Sequence, residues 1–247
     1  MAIGDEFKSS GITADTPGNI LLGAGTIHKG LEFTPPTYTL TTDTQINATK
    51  TYYTKTGTSP NYVYAKVTTP VVGSIGTYYE VTVGGVWNFA ESLICATSGG
   101  SKVSIVPELY DIPIDGALVK VKGTTQKTGE TAKMEINPIE LTPDVLNMAV
   151  IGSASVSESA VGYSEITSRA RIVEGDYLQN MAYAGKTVDG KPIIIIFDWA
   201  LCTSGLELEG KNKEAATPGF TFECYADTGS SADTLPWHIY YPTPVAG

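Results

Sequence analysis

The sequence predicts an all-β fold, a sandwich or barrel with one short helix and an inserted β element. Apolar and polar residues alternate with a period of two along most of its second half, as in half-buried antiparallel strands. Only one stretch carries a helix pattern with both a start and a stop signal. The length of 247 residues suits one large β domain, or one domain with an insertion.

The chain begins with a polar segment, residues 1–18, that predicts a flexible arm. Asn19–Lys29 is expected to form the first strand, with a bulge or tight bend at its glycines. After this strand the amino-acid composition changes, and tyrosine and threonine become frequent. We therefore assign the main β domain to residues 19–37 and 87–247, and an insertion to residues 38–86.

The insertion at residues 38–86 contains seven of the fourteen tyrosines and many threonines. It holds three lysines and two carboxylates, whereas the whole chain has a net charge of −10. Aromatic and β-branched residues suit a pleated, half-buried surface, and glycines and prolines divide the segment with turns. The pattern predicts a separate element of two or three strands, which we expect to face outward.

After the insertion, alternating apolar residues indicate successive strands. The segment Lys191–Leu201 is apolar on both faces, which predicts a central strand, and Asp189-Gly190 before it suits a hairpin turn. The alternating sets are Val103 and Ile105; Val119 and Val121; Ala132, Met134 and Ile136; Leu206 and Leu208; and Phe220, Phe222 and Cys224.

One helix is predicted after Thr142, which is a good N-cap residue. Pro143 suits the first helical position, and Asp144 is favourable at the positive end of the helix dipole. An apolar stripe follows, and Gly152 is expected to stop the helix.

Composition excludes some functions. The chain is acidic and has only two arginines, so it lacks the clustered cations that stable sequence-specific DNA binding needs. Cys95, Cys202 and Cys224 are scattered, which predicts small core residues in a reduced protein. His28 and His238 are interpreted as structural histidines. No nucleophile, metal or nucleotide motif is found, and we expect neither an enzyme nor a bound cofactor.

Five glutamates are the candidate functional carboxylates because they stand opposite apolar residues in alternating segments. A glycosidase pair is one interpretation of such carboxylates, and a solvated strand face is the favoured one. The polar N-terminus does not resemble a signal peptide, and no apolar run is long enough for a membrane helix, so we expect synthesis in the cytoplasm. The five are Glu130, Glu135, Glu207, Glu209 and Glu223.

Several stretches together resemble the major tail tube proteins of long-tailed, siphovirus-type bacteriophages, particularly those of Gram-positive hosts. The resemblance lies in the succession of short strands, an acidic turn with glycine and a TPDVL helix, and it spans about two-thirds of the chain in the family's order. The stretches are Asn19–Gly25 (NILLGAG), Cys95–Pro107 (CATSGGSKVSIVP), Asp111–Gly116 (DIPIDG), Val121–Leu146, Gly175–Tyr183 (GDYLQNMAY) and Leu208–Tyr225.

This resemblance implies a structural virion protein that forms hexameric rings, which stack into the tube that delivers the genome. The implied partners are further copies of the chain, the tape measure protein, the tail terminator and distal tail proteins. Double-stranded DNA would pass through without specific binding, and no membrane would be involved. The implied location is the virion tail, with assembly in the host cytoplasm. The arm and the loop after the first strand are expected to lock successive rings.

The acidic charge fits a channel wall that repels phosphate, so Glu130, Glu135, Glu207, Glu209 and Glu223 are candidate channel-facing residues. Two alternatives remain open at this point. One is a carbohydrate-binding or adhesive β-sandwich that uses the tyrosine-rich insertion. The other is a tail terminator or head–tail connector of the same fold, which would cap a tube rather than polymerise.

Overall fold

The structure, a computed structural model, describes residues 20–242 except 90, 91, 117, 211, 214 and 232. The predicted N-terminal arm, residues 1–18, lies outside the described residues. The all-β prediction with one short helix is confirmed: antiparallel strands dominate, and the described part holds a single α-helix. No helix in that part is long and apolar enough to cross a membrane.

The chain divides into two compact units. Unit 2 is Glu32–Asn88, and unit 1 contains the described residues up to Leu31 and from Phe89 onward. The second unit therefore begins six residues before the predicted insertion and ends two residues after it. Unit 2 is longer than the predicted insertion because its two ends pair with each other: β2 (Phe33–Thr34) pairs with β7 (Val86–Trp87).

Unit 1 contains a seven-stranded sheet in the order β1-β12-β13-β14-β9-β8, with β15 also paired to β13. The central position of β13 follows from its sequence, because a strand buried on both faces must be apolar on both. A turn containing Gly190, at φ +84°, joins β12 to β13 as the Asp-Gly pair predicts. The strands are β1 (Leu21–His28), β8 (Lys102–Asp111), β9 (Thr125–Ile136), β12 (Leu178–Thr187), β13 (Pro192–Cys202), β14 (Phe220–Tyr225) and β15 (Trp237–Tyr240).

The helix α1 (Pro143–Val150) begins as predicted, since the Val145 amide donates to Thr142 Oγ1 at 3.3 Å. Its end differs from the prediction: Ile151 takes the left-handed conformation at φ +50°, and Gly152 already belongs to the next strand. A Cβ at Gly152 would come within 2.5 Å of the Thr167 carbonyl oxygen, so that glycine allows two strands to approach closely. These strands are β10 (Gly152–Val156) and β11 (Ser164–Ser168).

The core of unit 1 lies on the apolar face of β9 and β14, where the alternation prediction is confirmed. Met134, Ile136, Phe220 and Phe222 are at most 1% exposed. Each fully buried side chain of this size contributes about 1.5–3 kcal/mol relative to an exposed one. Val145 of the helix packs in the same cluster.

The predicted strands at Val119–Val121 and Leu206–Leu208 are wrong. Both segments lie in irregular connections, one between β8 and β9 and one between β13 and β14. Alternation records only a side-chain pattern, whereas a strand also needs a partner for its backbone groups. Neither segment has such a partner among the described strands.

Unit 2 contains more strands than the predicted two or three. A four-stranded sheet in the order β3-β6-β4-β5 accompanies the β2–β7 pair. A small core of Tyr52, Ile75 and Tyr78 lies beside it, and the Tyr52 hydroxyl donates to Asp43 at 2.8 Å. The remaining strands are β3 (Thr37–Leu40), β4 (Tyr53–Thr58), β5 (Asn61–Lys66) and β6 (Tyr79–Val83), and a 3-10 turn covers Val72–Thr77.

Candidate functional site

The outer half of the β8–β9 hairpin in unit 1 carries several large apolar side chains that are exposed to solvent. Leu109 and Tyr110 are 62% and 54% exposed, and in the connection beyond them Leu118 and Val119 are 99% and 78% exposed. Folded monomers rarely leave such a run of large apolar side chains in water. We call this feature the hairpin tip, defined as residues 109–124 without residue 117.

The hairpin tip is held in shape by polar contacts at its base. The Ile112 amide donates to the Thr124 carbonyl at 3.0 Å, and Thr125 Oγ1 donates to Asp111 Oδ1 at 2.5 Å. Lys120 pairs with Asp111, and hydrogen bonding to that ammonium lowers the pKa of the carboxyl. The tip therefore displays its apolar side chains from a fixed base, around a cleft of about 280 Å³.

Three strands of the seven-stranded sheet, β1, β8 and β15, pair with only one described strand each. The end of β1 is covered, because the Ile94 amide donates to the Ile27 carbonyl at 3.0 Å. No described strand pairs with the outer side of β8. Pro107 and a bulge between Glu108 and Leu109 interrupt that edge, which limits the backbone pairing it could offer.

Glu135 and Glu223 lie on the polar face of the sheet. Lys102 of β8 stands directly opposite Glu135, and Lys133 of β9 stands directly opposite Glu223. Lys102 Nζ is 2.9 Å from Glu135, and Lys133 Nζ is 2.5 Å from Glu223. This face is thus a mixed surface of ion pairs rather than a uniformly negative one.

Glu130 differs from the other glutamates because its side chain is only 7% exposed. It accepts hydrogen bonds from Lys127 and, at 2.5 Å, from the indole Nε1 of Trp237. Hydrogen bonding to the Lys127 ammonium, aided by the indole, lowers the pKa of Glu130. Its contacts are those of a residue that fixes β15 against β9.

Glu207 and Glu209 do not lie in a strand, so the expectation that they share a strand face is wrong. Both are exposed in the connection between β13 and β14. The structure does not bring the five glutamates together: two lie on the polar sheet face, one is buried in a hydrogen-bonded pair, and two lie in the connection.

His28 is buried, with 4% of its surface exposed. Its Nδ1 is 2.8 Å from Ser92 Oγ and its Nε2 is 2.8 Å from Thr26 Oγ1. The Ser92 hydroxyl donates to the Phe89 carbonyl and can accept the Nδ1 proton, which leaves Nε2 as an acceptor. Desolvation lowers the pKa of His28, which fits a neutral, structural imidazole.

Other reactive groups are scattered. The three cysteines are free, with Cys95 and Cys202 buried. Across the residues that the structure describes, no cluster of three or more histidine, cysteine or acidic side chains is suited to a metal ion.

Tyrosines of unit 2 gather on one face of its sheet. Tyr38 and Tyr64 stack with their ring centres 3.9 Å apart, and Tyr53 and Tyr79 meet them edge-on. Much of each ring is therefore occupied by another ring, as expected of cross-strand packing partners. A sugar platform instead needs open ring faces.

Sequence reasoning missed the hairpin tip and the Glu130–Trp237 contact. The apolar residues of the tip are visible in the sequence, but their exposure is not. The Glu130–Trp237 pair joins residues more than a hundred positions apart, and no local pattern signals it.

No protein-family model matches this chain, and no curated protein matches it.

Proposed function

We propose that this protein is a self-assembling structural subunit that forms hexameric rings stacked into a phage tail tube. The observation that carries the proposal is the hairpin tip, a fixed and strongly apolar surface that a monomer would leave in water. The sequence resemblance supplies the ring and tube as the form of assembly. Within that assembly, the tip packs against a second copy of the chain.

Burial of the apolar side chains of the hairpin tip would drive this assembly. Removing large apolar side chains from water is favourable by about 25 cal/mol per Å², and a repeated head-to-tail contact builds either a ring or a filament. Leu118 and Val119 are the candidates for such a contact, since they are 99% and 78% exposed.

The ion pairs on the polar sheet face reduce the negative charge that Glu135 and Glu223 could contribute to a channel wall. Lys102 and Lys133 neutralise part of the negative charge of Glu135 and Glu223, so the channel charge would be set by the whole acidic chain. A net-negative wall still repels phosphate and permits DNA to slide. Glu207 and Glu209, on an exposed connection, stay candidates for the channel surface.

The test is the double variant L118D/V119D, examined by negative-stain electron microscopy and analytical ultracentrifugation. We expect the wild-type protein to form rings or tubes and the variant to remain monomeric. Loss of two buried apolar contacts of about 1.5–3 kcal/mol each should raise the assembly concentration at least about tenfold.

The matched control is V156D/V161D, which adds the same charge at side chains 80% and 91% exposed on and beside β10. Both variants should keep the wild-type circular dichroism spectrum, because neither changes a buried side chain. Equal assembly of L118D/V119D and the control would contradict the role of the tip. A monodisperse wild-type monomer at high concentration would overturn the proposed function itself.

A further inference from the structure

A pocket of about 340 Å³ lies where the end of β14 meets the turn before β12, in unit 1. Three aromatic residues line it: Tyr177, Trp199 and Tyr225. Two carboxylates, Glu174 and Asp227, also line it, and its lining contains no lysine or arginine. The tail tube proposal makes no use of this site.

The aromatic walls are built by the sheet register and by a fixed turn. Trp199 of β13 stands directly opposite Tyr225 of β14. Tyr177 follows a 3-10 turn, Glu174–Asp176, in which Asp176 accepts a hydrogen bond from the Val173 amide at 2.8 Å and pairs with Arg169. These contacts position the turn, so the pocket is formed before any ligand arrives.

The ring geometry favours a compact cation over a flat ligand. The planes of Tyr177 and Tyr225 make an angle of 74°, with ring centres 5.4 Å apart. Perpendicular rings can form two adjacent walls around a compact group, whereas a sugar stacks best on one open, flat ring face. An ammonium group is attracted to ring faces within about 6 Å, and the two carboxylates add long-range attraction for positive charge.

We propose that this pocket binds an alkylammonium group, with methylated ammonium groups preferred. Methyl groups spread the charge over an apolar surface that the three rings can enclose, and they reduce the cost of removing the cation from water. Such a group can come from a choline-like molecule or from a lysine side chain of a second copy of this chain. The chemistry of recognition is the same for both sources.

The test is isothermal titration calorimetry of the full chain with choline, with n-butylammonium, and with 3,3-dimethylbutanol, the uncharged isostere of choline. We expect saturable binding of choline, weaker binding of butylammonium, and at least about tenfold weaker binding of the neutral isostere. Equal binding of choline and its isostere, or no saturable binding of choline, would overturn the proposal.

Variants locate the binding. E174Q/D227N changes two exposed side chains without altering their shape and should weaken choline binding at least about fivefold. The control E158Q removes an exposed carboxylate outside the pocket and should leave choline binding unchanged. Y177L should abolish binding while the circular dichroism spectrum is kept. Choline binding unchanged in E174Q/D227N and Y177L would overturn the proposal.

Assembly measurements separate the two sources of the cation. If E174Q/D227N loses choline binding and also fails to assemble, the pocket holds a lysine of a neighbouring copy. If it loses choline binding but assembles like wild type, the ligand is external. Because L118D/V119D leaves the pocket intact, it should still bind choline, so failure of the tail tube proposal and failure of this one are distinguishable.

Discussion

At the scale of single residues, His28 shows how burial decides what a titratable group does. Two hydroxyls, from Thr26 and Ser92, satisfy both ring nitrogens, and the Phe89 ring packs edge-on at 5.2 Å. A protonated imidazole would have to carry its charge away from water. The surrounding structure therefore stabilises the neutral form.

This arrangement predicts a pH dependence of stability. The folded-state pKa of His28 lies below the ordinary value, so the unfolded chain binds a proton more readily. The stabilisation is fully present above the ordinary histidine pKa of about 6.5 and is lost as the pH falls towards the folded-state pKa. Guanidinium unfolding from pH 7.5 down to pH 5 should show this decline.

The variant H28Q cannot titrate in this range, so its free energy of unfolding should fall less steeply between the same pH values. The slopes of the free energy of unfolding against pH are compared, because H28Q also changes the absolute stability. Parallel pH profiles for wild type and H28Q would show that other groups cause the decline.

At the scale of secondary-structure elements, α1 is short and depends on its first turn. The Thr142 side chain satisfies one of the amide groups that a helix leaves unpaired at its start. Val145 and Ala149, both 1% exposed, anchor the helix in the core of unit 1. Capping and burial together compensate for a length at which an isolated helix does not form.

We expect T142A to lower the free energy of unfolding by about 1 kcal/mol, the usual effect of removing such a cap. T142S keeps the capping hydroxyl and should lose less than half of that amount. Thermal and guanidinium unfolding of the three proteins provide the measurement. Equal stability of T142A and T142S would mean that the cap contributes nothing here.

At the scale of the whole molecule, the chain consists of two units with separate cores. Unit 2 begins and ends at adjacent points, since the Asn88 amide donates to the Glu32 carbonyl at 3.0 Å and Phe33 pairs with Trp87. A segment with neighbouring ends can be inserted into, or removed from, another domain with little disturbance.

We therefore expect a chain in which residues 33–87 are replaced by two glycines to keep the fold of unit 1. If the hairpin tip of unit 1 carries assembly, this shortened chain should also form rings. Circular dichroism and electron microscopy would check both statements. A folded, shortened chain that no longer assembles would place an essential interface in unit 2.

Local sequence patterns predict the β class, the start of the helix, the central position of β13 and a tyrosine-rich element apart from the main domain. These features depend on local pattern: a capping residue, a run apolar on both faces, a change of composition. Which of the alternating segments pair with one another depends on contacts between remote parts of the chain. The tertiary structure shows β9 and β14 as strands and leaves 119–121 and 206–208 unpaired.

The environment of each charged or aromatic side chain was likewise decided only by tertiary structure. Glu130 and Glu135 lie five residues apart in β9, so alternation already places them on opposite faces, but it does not show that Trp237 donates to the first and that Lys102 pairs with the second. The pocket of Tyr177, Trp199 and Tyr225 joins three distant segments in the same way. The physical reason is that pattern fixes which face a residue takes, whereas contacts between remote strands fix what it meets there.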